Sequence, residues 1–282
     1  MKLAQVRVAD GVLSAAIVEE NGCRLVPGHT TASLVEMAEE QDRTLADLAA
    51  ELATADIVHG PLAIPIRPPE VWACGCTYAP SAEFRDRELG SSEGPYAYVS
   101  DPAHRPELFF KGTSRVCVGS NEPIGARADS NFTAPEPELA LVLSSQGKVM
   151  AYTIANDVSA WDIERENPLY LPQSKVYDRC CALGPVLVTP DEIPDPRALE
   201  MTCTIRRKGE LLFEGRASVG QLRRTLTELA DYLTRSNSVP PATVLLTGTG
   251  IIVKQDAALA AGDVVTIEIP GIGRLVNEVV VV

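Results

Sequence analysis

The sequence predicts an α+β chain dominated by a β-roll or sandwich. Two observations carry that prediction. Short apolar segments of strand length recur between turns drawn from 20 glycines and 21 prolines, and helical periodicity surfaces in only a few places. A length of 282 residues suits one large domain or two modest ones with a sizeable core. A formal net charge of −13 argues against nucleic acid or an anionic membrane as partner, because phosphate binding needs a basic face. A small acidic substrate remains open to it through local Lys and Arg. No apolar run reaches the roughly 18 residues of a membrane span. The first ten residues lack the long apolar core of a secretion signal, so the expected location is the cytoplasm.

In chain order, residues 2–25 alternate apolar and polar with a break at 19–22, which predicts a small antiparallel hairpin. Residues 33–55 are Ala-rich, with Leu45, Leu48 and Leu52 at helix spacing, and predict a helix. Pro61, Pro65, Pro68 and Pro69 then punctuate the chain, dividing a small N-terminal α/β module (1–68) from the main domain (69–282). Residues 70–78 read as a strand entering a loop, 81–88 as a short charged helix, and 105–112 as a core strand. The run 135–143 is a strand with leucines 139, 141 and 143 on one face and Glu136, Glu138, Ala140 and Val142 on the other, a pattern of burial on both sides. A turn at 146–148 leads to a second strand, 149–155, ending at Asn156 and Asp157. Further on, 201–206 and 211–216 flank a Lys208-Gly209 turn, and Ser218 is positioned to cap a helix whose Leu222, Leu226, Leu229 and Leu233 form a core stripe. The strand 244–246 runs into Thr247-Gly248-Thr249-Gly250, and a last hairpin spans 261–273.

The chemistry gathers at the 135–157 hairpin. Glu136 and Glu138 share a face, and a tight turn returns Asp157 beside them. Close, part-buried carboxylates call for a cation or a shared proton. Three oxygen donors with no Cys or His suit Mg²⁺ or Mn²⁺ and fit zinc poorly. The same pattern also suits an acidic strand edge that discourages aggregation. Glu107 and Lys111 lie at i and i+4 of one strand and so on one face, as a site pair or a cross-strand ion pair. The glycine-rich turn at 247–250 either exposes amides to an anion or is a plain turn. The seven cysteines are odd in number and form no Cys-x-x-Cys, which predicts reduced core thiols. Of the three histidines, His104 stands nearest the 105–112 strand.

Pro135-Glu136-Pro137-Glu138-Leu139-Ala140-Leu141-Val142, the run Tyr152 to Ala160, and Leu183-Gly184-Pro185 resemble the fumarylacetoacetate hydrolase family. Within it, Asp162-Ile163-Glu164, the run Glu166 to Pro172, and Lys175-Val176-Tyr177 are similar to the branch that dehydrates 2-keto-3-deoxy-D-arabinonate. The resemblance runs from about residue 70 to the end. It implies a mixed β-sandwich roll with a small N-terminal domain, and a dimer or tetramer. It also implies a metal (Mg²⁺, or Mn²⁺ or Ca²⁺) on Glu136, Glu138 and Asp157, and a 2-oxo acid substrate. Lys175 would take the C3 proton, neutralise the enolate, or simply pair with a carboxylate. Glu107 would serve the distal hydroxyl, with Lys111, Tyr78 and Thr249 as substrate contacts. The expected reaction is loss of water from a 2-keto-3-deoxypentonate to give the semialdehyde of 2-oxoglutarate. Family hydrolases carry a histidine base after an Asn-Tyr near residues 77–83, and this chain has none there. Hydrolysis, tautomerisation or decarboxylation of another oxo acid, and non-catalytic oxo-acid binding, stand as alternatives.

Overall fold

The computed structural model describes residues 1–8, 11–88 and 94–282. Strands β1 (Lys2–Arg7), β2 (Leu13–Glu19) and β3 (Gly22–Val26) form an antiparallel meander rather than one hairpin; residues 9 and 10 of its first connection lie outside the described residues. The helix predicted over 33–55 is two helices, α1 (Thr31–Glu40) and α2 (Leu45–Leu52). Two local features divide it. Asp42 adopts a positive φ of 49°, and the Thr44 side chain accepts from Asp47 N–H, starting a new helix inside an Ala- and Leu-rich run. Short strands β4 (Ile57–Val58) and β5 (Leu62–Ala63) follow.

Strand β6 (Val71–Gly75) leads into α3 (Ala79–Glu88), and α4 (Pro95–Ser100) precedes β7 (Glu107–Gly112). The short β8 (Cys117–Val118), β9 (Ile124–Ala126) and β10 (Thr133–Ala134) connect to the central hairpin, β11 (Pro137–Leu143) and β12 (Val149–Asp157). Then come β13 (Ser159–Ala160), α5 (Trp161–Glu166), a 3₁₀ turn, α6 (Leu171–Lys175) and β14 (Cys181–Val188). Strands β15 (Glu200–Arg207) and β16 (Glu210–Ser218) turn through Lys208 and Gly209, both at positive φ. Ser218 caps only a single 3₁₀ turn. The helix α7 (Leu226–Thr234) starts on its own cap, Thr225, whose side chain accepts from Glu228 N–H, although all four predicted stripe leucines are buried. Strand β17 (Thr243–Leu246) and the hairpin β18 (Val264–Ile269) and β19 (Gly273–Val281) complete the chain.

The large sheet runs β4-β3-β2-β1-β14-β12-β11-β17-β6-β7, and a second sheet runs β16-β15-β18-β19-β9. The β1–β14 ladder, Leu3 opposite Leu187, carries the N-terminal meander directly onto the large sheet, so residues 1–68 and 69–282 share it. Both faces of β11 are covered. Leu139, Leu141 and Leu143 pack with Met201, Cys203 and Ile267 of the second sheet, while Ala140 and Val142 pack with Leu34 of α1 and Leu48 of α2. The β11–β12 hairpin is thus the central layer of a sandwich, and its acidic end lies where the strands leave that core.

Candidate active site

The hairpin register sets Glu138 opposite Ala155 and Pro137 opposite Asn156, and Asp157 N–H donates to Glu136 O at 2.9 Å. Glu136, Glu138 and Asp157 therefore bring one carboxylate oxygen each within 4.8 Å of one another, all three side chains buried. Two ammonium groups face them. Lys175 Nζ lies 3.0 Å from Glu136 Oε2, 3.0 Å from Asp157 Oδ2 and 2.7 Å from Ser159 Oγ. Lys111 Nζ lies 2.5 Å from Asp157 Oδ1 and donates to Val158 O at 3.0 Å. Burial raises the Asp157 carboxyl, but Lys111 and Lys175 outweigh it and hold the group below the usual carboxylate range. Burial likewise lowers both lysines, and the carboxylates more than reverse that, so both stay charged.

Glu138 is treated differently. Burial first, then the negative charges of Asp157 and Glu136, push its carboxyl well above the ordinary range. It accepts the Gly248 N–H and has no Lys or Arg in salt-bridge contact among the described residues. Three carboxyl groups against two ammonium groups leave Glu138 without a counter-charge, so it can ionise only at a cost. A divalent cation held by oxygens fits that imbalance and that donor set.

A cavity of about 30 Å³ opens beside Glu136 and Lys175. Its further walls include Glu107 and Phe109 from β7, Arg85 and Ser81 from α3, Glu164 from α5, Cys74 and Cys76, and Thr249. Glu107, Phe109 and Lys111 occupy alternate positions of one strand, which explains why all three turn inward. Burial, then the negative charge of Glu164, raises the Glu107 carboxyl to about 7, against the lowering pull of Lys175 and Arg85. Gly75 makes room for it, since a Cβ there would stand 1.9 Å from Glu107 Oε2. Arg85 lies 3.2 Å from Glu164 and 3.5 Å from Glu136, with its guanidinium 4.1 Å from the Trp161 ring. The Trp161 indole donates to Glu136 Oε1 at 2.5 Å.

The predicted site residues do not all reach the cavity. Glu107, Glu136, Lys175 and Thr249 line it, and Asp157 and Glu138 lie directly behind. Lys111 is fully buried against Asp157. Tyr78 is also fully buried, its ring beside Gly250, its backbone bridged to Leu222, and its hydroxyl without a partner among the described residues. Arg85 and Glu164 carried no assigned role in the sequence, because charges on short helices read as solvated. Their one sequence signal was the placing of Glu164 in a segment that resembles the dehydratase branch. The histidines are elsewhere: His104 stacks on Tyr98 at 3.7 Å. All seven cysteines are unpaired thiols.

Known proteins resemble this chain over most of its length. The family model for the fumarylacetoacetate (FAA) hydrolase C-terminal domain matches residues 71–280. A 2-dehydro-3-deoxy-D-arabinonate dehydratase of Saccharolobus solfataricus is 49% identical over 218 residues, 76% of this chain and 73% of that protein. A probable 2-keto-3-deoxyxylonate dehydratase of Haloferax volcanii is 46% identical over 247 residues, 85% and 84% of the two chains. A solved 2-keto-3-deoxy-D-arabinonate dehydratase, complexed with magnesium and 2,5-dioxopentanoate, superposes with a TM-score of 0.85 at 39% identity, covering 100% of this chain and 99% of that one. The match over residues 71–280 and the shared fold place this chain in the fumarylacetoacetate hydrolase family.

Proposed function

We propose that this chain is a divalent-metal-dependent dehydratase that converts a 2-keto-3-deoxypentonate to 2,5-dioxopentanoate. The observation that carries the proposal is the buried triad with its uncompensated Glu138, walled on its open side by a carboxyl group that titrates near neutrality. Glu136, Glu138 and Asp157 would hold Mg²⁺, with Mn²⁺ or Ca²⁺ as other oxygen-binding candidates. When bound, the ion acts as a Lewis acid on the 2-keto oxygen and so acidifies the C3 protons.

The protein's own groups account for the proton traffic. Lys175, held charged between Glu136 and Asp157, places positive charge beside the cavity where negative charge grows on the substrate. Its pairing favours that role over general base. Glu107, with a pKa of about 7, can take the C3 proton as carboxylate and return it as acid to the departing C4 hydroxyl. Water then leaves with both bonding electrons of the C4–O bond. Loss of one C–H proton and the hydroxyl proton from C5, with protons added at C3 and C4, turns the terminal alcohol into an aldehyde, which completes the isomeric balance. Arg85 and Glu164, paired at 3.2 Å, also line the cavity and in this reading would face the substrate's hydroxyl end. Thr249 belongs to the same reading as a contact for the substrate carboxylate, with Tyr78 and Lys111 supporting the turn and Asp157 from behind. A cytoplasmic homodimer or homotetramer is part of this proposal; no helix among the described residues is long and apolar enough to cross a membrane.

Proton NMR in D₂O with Mg²⁺ and racemic 2-keto-3-deoxypentonate tests it. An aldehyde signal with deuterium in the product, abolished by a chelator, is expected. C3 exchange without aldehyde would overturn the substrate, and no exchange at all would overturn the chemistry.

A further inference from the structure

A row of side chains crosses one face of the large sheet. Asp157 of β12 is directly opposite Cys181 of β14, and Cys181 is directly opposite Cys117 of β8. Directly opposed residues on neighbouring strands point to the same side, so the two thiols are neighbours and Cys181 is next to a candidate metal ligand. Cys117 Sγ donates to Thr113 O at 3.4 Å. Neighbouring strands stand about 4.7–4.9 Å apart. That spacing falls inside the roughly 4.4–6.8 Å between Cα atoms that a disulfide bridges.

The two sulfurs differ in access. Cys181 is fully buried, while Cys117 is partly exposed and opens on a surface cleft between Arg115 and Arg179. One reachable thiol backed by one sealed thiol is the arrangement of an attacking and a resolving cysteine.

We propose that Cys117 and Cys181 are a redox pair that a hydroperoxide closes into a disulfide, and that closure weakens cation binding at the adjoining Asp157. The Cys117 thiolate attacks one peroxide oxygen, the O–O bond breaks, and the other oxygen leaves as water or an alcohol. Cys117 is then a sulfenic acid. The Cys181 sulfur displaces its hydroxyl as water, forming the S–S bond; two thiols have given two electrons to one peroxide. The link to the site is short. Val158 N–H donates to Cys180 O at 2.9 Å, and Val158 O receives Lys111, which also contacts Asp157. Fixing Cys181 in a disulfide reorients its side chain and the adjoining β14 backbone, and so shifts groups that orient Asp157. This second part rests on the metal reading above; the disulfide itself does not.

The test treats the full-length protein, loaded with Mg²⁺, with hydrogen peroxide, quenches with an alkylating reagent, and maps peptides without reduction. A Cys117–Cys181 cross-link that dithiothreitol reverses is expected. Calorimetric titration of the oxidised protein should show Mg²⁺ bound roughly tenfold more weakly, recovering on reduction. Cys117→Ser should give no cross-link and keep the affinity of the reduced protein in peroxide. Oxidation of Cys117 to sulfinic acid with Cys181 still alkylatable, or a cross-link elsewhere such as Cys74 to Cys76, would overturn the pair. A cross-link that leaves Mg²⁺ affinity unchanged would overturn the coupling. Failure of the reduced protein to bind Mg²⁺ would instead refute the metal site, with the peptide map still deciding the disulfide.

Discussion

Replacing Glu138 by Gln should move stability and activity in opposite directions. Glu138 is buried and carries no ammonium partner among the described residues, while Glu136 and Asp157 place carboxylate oxygens within 4.8 Å. At that distance and an effective dielectric of about 20, each like-charge pair costs about 3 kcal/mol. Lys111 and Lys175 offset much of this, and protonation of Glu138 can relieve more. A net gain of about 1–2 kcal/mol for the metal-free variant is a reasonable remainder, or roughly 2–6 °C in Tm for a chain of this size. The sign with pH follows from the raised carboxyl. Its penalty is absent below the ordinary Glu value of about 4.3 and grows as pH rises toward the folded-state value. Glu138→Gln should therefore match the wild type near pH 4 and exceed it at pH 7, both in chelator. With Mg²⁺ added, the wild-type Tm should rise, the variant's should barely respond, and turnover should vanish. Calorimetric scans with and without chelator read all of this. A variant less stable than wild type in chelator at pH 7, or one that keeps the full Mg²⁺ response, would refute the reasoning.

Three further substitutions separate the roles of the surrounding groups. Glu107→Gln should lower kcat by about 10²–10⁴ while Mg²⁺ affinity by calorimetry stays within a few-fold. Because the Glu107 pKa is raised to about 7, the wild-type protein should lose stability as pH rises from the ordinary Glu range through 7, a loss that this variant lacks; identical pH–Tm curves would count against the shift. Lys175→Met breaks a buried pair and should cost about 3–5 kcal/mol in chelator, with part recovered by Mg²⁺; an unchanged urea midpoint would remove Lys175 from the charge balance. Gly75→Ala puts a Cβ 1.9 Å from Glu107 Oε2, so steady-state kinetics should show a loss in kcat with Mg²⁺ binding retained, whereas wild-type kcat would free Glu107 from its assigned position.

Much of the centre was legible because it is local. The alternation in 135–143 and the turn at 146–148 specify a strand, its two faces and a hairpin, and a hairpin's register follows from its turn. That is enough to bring Glu136, Glu138 and Asp157 together, as the structure does. Boundaries were less legible where a second cap competed. Thr44 and Thr225 each start a helix at a point the leucine spacing alone passes over.

Which charges pair across long separations could not be read from the chain, although a carboxylate partner was one of the readings open to Lys175. Arg85 meets Glu164 79 residues away and Lys175 meets Glu136 39 residues away, contacts that depend on how α3, α5 and α6 fold over the end of the sheet. Packing pairs Lys175 with Glu136 and Asp157 and keeps it charged, and it buries Glu107 near Glu164 and so raises that carboxyl to about 7, since a pKa depends on burial and on every charge nearby rather than on neighbours in sequence. Strand pairing likewise sets Cys117 beside Cys181, and folding brings Lys111 of β7 against Asp157 of β12. The acidic triad and the strands that carry it come from short-range pattern. The protonation and partners of those groups come from the packing of distant segments, because electrostatic energies in a buried site are set by three-dimensional distance.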